Sequence, residues 1–525
     1  MTDLFKTLIF AAVALVLTGA AFVTTRDRTI RSDVFNDQGQ PFYPDFKDPL
    51  ECTDLEVVDY DAQLAEPIRF RVMLKNNRWV IPSHHDYPAD ARDRLSKTAA
   101  AVMDLIKDTI RSDRPEDYEA MNVIDPLDTK ATTLKGRGKR ITLRNSAEKV
   151  LADFIIGSEI KGSTSKGADS KDQTTQHYVR IPDTKRVYGV RLKAEPSARF
   201  ADWIETNLLK LDASHVRKVV FDNHKVSLEQ GIEQGPIVTI ERKDSSSPWT
   251  MEGMPADKEL DADKLRAMAD ALADLKIVGV RVKPAGVTRE LKRSGDKNFE
   301  FPKNVLQGLA AKGFFPTRDG QMLSNQGDVK VYTDEGVVYT LRFGELAFGT
   351  GAELTSGESE DKADSAEGKA KEAPKKDQGA AENRYVMVTA SYDPALIGKP
   401  KPEEDDPKPI TPPGTIPAKP FATDPNDPAV VAKAKAKKER AEQAQKDYEK
   451  KLADGKKKAD ELTDRFGPWY YVTPGDSFRS IKVDPVALLQ PKKAPGGEGS
   501  MPSGFPSGGG LPGGGLPPGL PPIQP

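Results

Sequence analysis

The sequence predicts an α+β protein: two duplicated strand-Trp-helix-hairpin units, with an N-terminal transmembrane helix, a long C-terminal helix and disordered linkers. Three observations carry this expectation. An uncharged run, Leu8 to Val23, lies near the start of the chain. A pattern of strand, tryptophan and helix that begins near Ile68 returns 170 residues later. From Pro428 to Phe466 the composition turns to Ala, Lys, Glu and Gln, all good helix formers apart from the opening proline.

The 525 residues suffice for two or three domains, but 30% charged residues with 41 Gly and 41 Pro leave part of the length for linker and tail. Lys plus Arg number 78 against 80 Asp plus Glu, a balance that gives no field for nucleic acid, which is not expected as a partner. The single cysteine, Cys52, excludes an intramolecular disulfide and a cysteine-based zinc or iron–sulfur site. It is read as a small, half-buried residue.

Leu4, Phe5 and a snorkelling Lys6 bring the N-terminal run close to the roughly 20 residues needed to span a bilayer, so residues 1–26 are expected to be an anchor. A cleaved signal peptide is the rival, with Gly19-Ala20-Ala21 as the small-residue site. Arg26, Arg28 and Arg31 follow the run, and by the positive-inside rule they favour a cytoplasmic body. Residues 27–67, polar, acidic and punctuated by prolines, read as a tether.

The first unit is expected over 68–230. Ile68–Leu74 alternates as a half-buried strand does, Trp79 follows the turn Asn76-Asn77, and Pro88-Ala89-Asp90 opens a helix with Leu95, Thr98, Val102, Leu105 and Ile106 on one face and Asp90 or a neighbour as its cap. Residues 140–157 read as a hairpin ending in glycine, 177–181 as a strand, 200–211 as a helix, and 216–221 as the strand that closes the unit. The second unit, 235–395, repeats the order: a strand at 237–240, Trp249, Pro255-Ala256-Asp257, and then a helix in register. Leu95, Ala99, Ala101, Val102, Asp104 and Leu105 correspond to Leu265, Ala269, Ala271, Leu272, Asp274 and Leu275. A hairpin at 329–344 and a strand at 384–388 follow, separated by an insertion at 353–383 with almost nothing apolar to bury, which is expected to be disordered.

Residues 396–427 read as a Pro-rich linker and 428–466 as a helix whose narrow stripe, from Ala434 through Tyr448, Leu452 and Leu462 to Phe466, docks on the protein's own body; Gly455 weakens its middle. Residues 467–490 return as a strand at Tyr470–Val472, and 491–525 form a Gly/Pro tail.

Chemistry-bearing patterns are sparse. His84 and His85 share a turn while His177, His215 and His224 are separated by whole elements, so no metal site is expected. Gly136-Arg137-Gly138-Lys139 lacks the leading glycine and trailing hydroxyl of a phosphate loop, and Gly349 and Gly351 are read as lacking a following helix. Ser146 with Lys149 and Ser163 with Lys166 have a Ser-x-x-Lys spacing that a Lys-rich chain produces by chance. Asp104 and Asp274 read as surface groups or caps, and Trp79 and Trp249 as residues packed under the helices. The expectation is therefore no catalytic, cofactor-binding or metal residue, no cofactor, and no enzyme.

The repeated unit resembles the DUF4340 family, bacterial domains of unknown function, over roughly residues 68–345. Trp79-Val80-Ile81, Tyr178-Val179-Arg180, Val187-Tyr188, Tyr339-Thr340-Leu341 and Phe343-Gly344 carry the resemblance. It implies a single-pass protein of the cell membrane with its bulk extracytoplasmic, acting as a scaffold or accessory associated with gliding-type ABC transporter components. An extracytoplasmic ligand-binding receptor is the alternative. The insertion at 353–383 and the helix from Pro428 depart from the family's pattern.

Overall fold

The computed structural model describes residues 14, 18, 37–62, 65–161, 165–166, 173–193, 196–227, 229–293, 300–357, 382–400 and 428–492. Most of the anchor (1–26), the insertion, the Pro-rich linker and the tail thus lie outside the described residues.

Antiparallel strands dominate. The first sheet is built from β1 (Cys52–Asp61), β2 (Glu66–Lys75), β3 (Arg78–Ile81), β4 (Tyr87–Pro88), β5 (Thr109–Ser112), β6 (Lys139–Asn145), β7 (Val150–Glu159), β8 (Gln176–Arg180) and β9 (Val187–Arg191). Their spatial order is β4-β3-β2-β1-β6-β7-β8-β9-β5. Helix α1 (Arg92–Met103) precedes β5, and a short helix α2 (Tyr118–Met121) follows it. The second sheet takes β10 (Val216–Asp222), β11 (Ile237–Glu241), β12 (Thr250–Met251), β14 (Gly279–Val282), β15 (Asp328–Thr333), β16 (Val337–Ala347), β17 (Asn383–Tyr392) and β18 (Trp469–Pro474), in the order β12-β11-β10-β15-β16-β17-β18-β14. A separate β13 (Lys258–Leu260) pairs with β19 (Leu489–Pro491). Helices α3 (Ala262–Ala273), α4 (Lys303–Ala311), α5 (Gly351–Ser356), α6 (Pro428–Phe466) and α7 (Gly475–Ile481) complete the set.

The expected fold class is corrected on two counts. The chain is β-rich, with 36% of the described residues in strands against 29% helical, so its units are large antiparallel sheets rather than a strand, a helix and a hairpin. No helix among the described residues is long and apolar enough to cross a membrane, and the expected N-terminal transmembrane helix is not supported.

Read from β3 to β5 and from β12 to β14, eight strands of each sheet follow one another in the same order along the chain and in space. Helices α1 and α3 lie 170 residues apart end for end, as do β5 and β14. Leu95, Ala99 and Val102 are buried in one and Leu265, Ala269 and Leu272 in the other, and Leu105 and Leu275, just past the two helix ends, are buried as well. The glycine closing each hairpin has a steric cause: a Cβ on Gly157 would lie 2.2 Å from Met121 O, and one on Gly344 would lie 2.1 Å from Lys312 O. In both sheets the end of the preceding helical segment presses on a strand whose register shifts there, Ile156 to Glu159 in β7 and Phe343 to Leu346 in β16.

Several boundaries move. Strand β1 occupies the stretch read as tether and lies at the centre of the first sheet, with Leu55, Val57 and Val58 buried. Its acidic residues made it look like linker, but they pair across the sheet: Glu56 with Arg144 at 2.7 Å and with Arg69 at 3.2 Å, and Asp54 with Arg71. Phe42 and Phe46, also within the tether, join the core. Strand β10, read as closing the first unit, is instead central to the second sheet, between β11 and β15. Residues 200–211 form only a 3-10 turn, Phe200–Trp203. Beyond it the backbone pairs with the second unit, Leu208 N–H donating to Leu275 O and Ile277 N–H to Thr206 O, both at 2.8 Å. Helix α1 starts at Arg92 without a side-chain cap, while α3 is capped by Asp261.

Helix α6 has the expected bounds, but only its C-terminal part docks: Ala459, Leu462 and Phe466 are buried, Tyr448 and Leu452 half-buried, and Ala434, Ala441 and Ala444 exposed. Gly455 lets the helix approach the sheet, since a Cβ there would lie 2.1 Å from Glu335 O. One contiguous apolar cluster runs through both sheets and takes in α1, α3 and the docked part of α6.

A candidate binding cleft between the units

Strands β3 and β4 end the first sheet, and the turn between β2 and β3 holds Asn76 and Asn77 at φ 51° and 60°, the left-handed pair that a two-residue hairpin turn requires. This edge faces the docked half of α6. Between them opens a cleft of about 1310 Å³, with Arg78, Val80 and Tyr87 on one side, Lys457, Leu462 and Arg465 on the other, and Trp469 at the start of β18. Its aromatic floor is the edge-to-face pair Tyr87–Trp469, with ring centroids 5.1 Å apart. Burial raises the Tyr87 hydroxyl, and it raises Tyr471 well above the phenol range.

The rim is charged and largely internally paired: Lys75 with Asp86 at 2.7 Å, Lys458 with Glu335 at 2.6 Å, and Arg289 with Asp464 at 2.5 Å. Arg465 fastens α6 to the segment joining the units, donating to Glu205 O at 2.9 Å and Asn207 O at 2.8 Å, while its buried Nε has no hydrogen-bond partner among the described residues. Such a site offers an apolar floor, its two rings largely buried, ringed by charged side chains. These are the means of holding a chain or ligand.

His84 and His85 both meet the end of α5, and the other three histidines serve separate structures. His84 stacks on Phe200 at 4.1 Å and lies 2.9 Å from Thr355 Oγ1; burial pushes its imidazole down to about 3. His85 Nε2 lies 2.8 Å from Ser356 O. His177 is 3.9 Å from Glu159, His215 is 2.7 Å from Asp334, and His224 is 3.0 Å from Asp222. No group of three or more His, Cys, Asp or Glu among the described residues is arranged to hold a metal ion. Gly136 and Gly138 flank Arg137, which donates to Asp125 O, Asp128 O and Ala131 O and sits 4.3 Å over the Tyr60 ring, so that loop is held from within. Contrary to expectation a helix does follow Gly349, the six-residue α5, whose first residue is Gly351. Lys149 sits in the β6–β7 turn and Ser163 lies outside the described residues. Asp104 and Asp274 are exposed C-caps paired with Lys193 and Lys276. Trp79 and Trp249 are half-buried against the main core, Trp249 under the Arg242 guanidinium at 4.7 Å. Cys52 is fully buried, which pushes its thiol up to about 11.

The cleft residues Tyr87, Arg465 and Trp469 were not legible as a site. The aromatic run Trp469-Tyr470-Tyr471 was the available signal, and it reads equally well as a core strand.

The geometry defines a protein of two topologically matched antiparallel sheets with a cleft between them. Residues 79–293 match the family described as a domain of unknown function, DUF4340. The matched segment starts at Trp79, spans both α1 and α3, and ends before β15, short of the 68–345 expected. No curated protein and no solved structure matches the chain.

Proposed function

We propose that this chain is a non-enzymatic scaffold or accessory of the cell envelope that holds a polypeptide segment of a partner in the cleft between its units. The cleft carries the reading. Its roughly 1310 Å³ exceeds the 300–1,000 Å³ typical of small-molecule pockets, and its rim charges are largely neutralised by one another around an aromatic floor. Such a surface suits an extended chain with apolar anchors. The extracytoplasmic location at the cell membrane and a gliding-type ABC transporter component as the partner rest on the family resemblance. The receptor alternative draws on the same aromatic pair, Tyr87 and Trp469, with a smaller ligand stacked between the units.

A photo-crosslinking residue placed at Arg78 or Lys457 in cells tests the proposal. The expected outcome is an adduct with a membrane transport component, absent when the same residue replaces Lys149 on the far β6–β7 turn. Equal labelling from the two places, or no protein adduct at the cleft, overturns it.

A further inference from the structure

Lys283 follows β14 directly. Its backbone N–H donates to Pro468 O at 2.9 Å, extending the pairing of β14 with β18. Alternation along the strand puts Arg281 and Lys283 on one face, 3% and 7% exposed, while Val282 between them is 47% exposed. One side of α4 covers that face, and together with Tyr470 and Pro284 it lines a partly open cavity of about 270 Å³. Four of the lining residues are basic, His85, Arg281, Lys283 and Lys312, and none is acidic.

These basic residues are not equivalent. Arg281 donates to Val280 O, Leu354 O and Glu353 O, which ties down the end of α5, and His85 meets Ser356 O. Lys283 Nζ is shielded from solvent and has no hydrogen-bond partner among the described residues. A buried amine without an acceptor is costly, and its retention calls for a reason. The first unit shows the alternative: the position 170 residues earlier is Asp113, exposed and paired with Arg186 at 2.8 Å. The equivalent strand end therefore does not require a buried cation.

We propose that this cavity binds a small oxyanion, a carboxylate or a tetrahedral group of the sulfate or phosphate kind, whose charge is met by the Lys283 ammonium. Burial pushes the free amine down to about 7, with Glu290 opposing the shift and Arg342 adding to it; His85, Arg281 and Lys312 also line the cavity. An anion stabilises the protonated form, so binding above that value takes up a proton from solvent and weakens as pH rises.

Calorimetric titration of sulfate and of acetate into the full chain, in two buffers of different ionisation enthalpy, tests this and tells the two anion classes apart. The expected result is saturable binding of at least one of them, proton uptake approaching one at about pH 8, and affinity falling about tenfold per pH unit above about 7. K283M abolishes the binding, and K312Q weakens it about threefold. Absence of saturable heat with both anions, a pH-independent affinity without proton uptake, or unchanged binding in K283M overturns the proposal. Should K283M fail to fold, proton uptake and the pH slope of the unsubstituted chain still decide.

Discussion

In the first unit, β8 and β9 are joined by the short connection 181–186, whereas in the second the equivalent strands β17 and β18 are separated by residues 393–468, more than half of which form α6. The sheet order is the same in both. A connection at this place can therefore grow long without altering the strand pairing, because the extra chain leaves from one strand end and returns to the neighbouring strand. What holds the insertion is local: Ala459, Leu462 and Phe466 enter the shared core, Tyr392 Oη donates to Leu452 O at 2.9 Å, and Lys458 pairs with Glu335. Residues 431–447 of the same helix have no buried side chain. One helix thus contains a half that belongs to the fold and a half whose conformation rests on propensity and i,i+4 pairs such as Lys435–Glu439.

The largest expected effect separates these halves. Phe466 is 1% exposed and meets Tyr471 edge to face, so Phe466→Ala should cost about 3–5 kcal/mol in chemical denaturation of the full chain. Val431, 52% exposed, should tolerate Val431→Ala within about 0.5 kcal/mol. Similar small losses at both sites would mean that the C-terminal half does not dock as described.

The next effect asks whether the two sheets are equivalent in packing as well as in order. Gly157→Ala and Gly344→Ala each set a methyl group against a backbone carbonyl that cannot move without its helix. Each should lower stability by about 3 kcal/mol, at the upper end of overpacking costs, and by similar amounts. If one is harmless, the register shifts beside the two glycines arise from different causes and the match between the units is topological only.

These glycines also mark how far the sequence could be read. The hairpins at 140–157 and 329–344 were legible because alternation and the closing glycine are local signals, and the helices at Leu95 and Leu265 because apolar periodicity repeats in register. Strand β1 was not legible: Asp54, Glu56, Asp59 and Asp61 make it look like tether, and only the basic faces of β2 and β6, distant in sequence, turn those charges into a strand surface. Strand β10 sits in the second sheet, although the chain order groups it with the first unit, because strand order is a long-range property; 200–211 departs from the predicted helix because its hydrogen-bond partners lie in the second unit. The cleft and the Lys283 cavity were invisible for the same reason, since each is assembled from elements hundreds of residues apart.

The smallest expected effect near neutral pH tests the contact between the units. His84 comes from the first and is wedged between Phe200 and Thr355, the latter on α5 of the second, and its burial holds the imidazole neutral down to about 3. In the unfolded chain a histidine takes up a proton near pH 6.5. Between those values the unfolded state binds more protons than the folded one, so stability falls as pH drops below about 6.5, by up to about 1.4 kcal/mol per pH unit for this group. His84→Gln removes the titration while leaving a polar side chain near Thr355. The pH slope of stability between about 6.5 and 5 should therefore be shallower in the variant than in the unsubstituted chain. Because one apolar cluster runs through both sheets, the difference should appear in a single unfolding transition that carries both units. A change confined to a first-unit transition would show that the sheets unfold separately, and an unchanged slope would show that His84 is open to solvent in the folded protein.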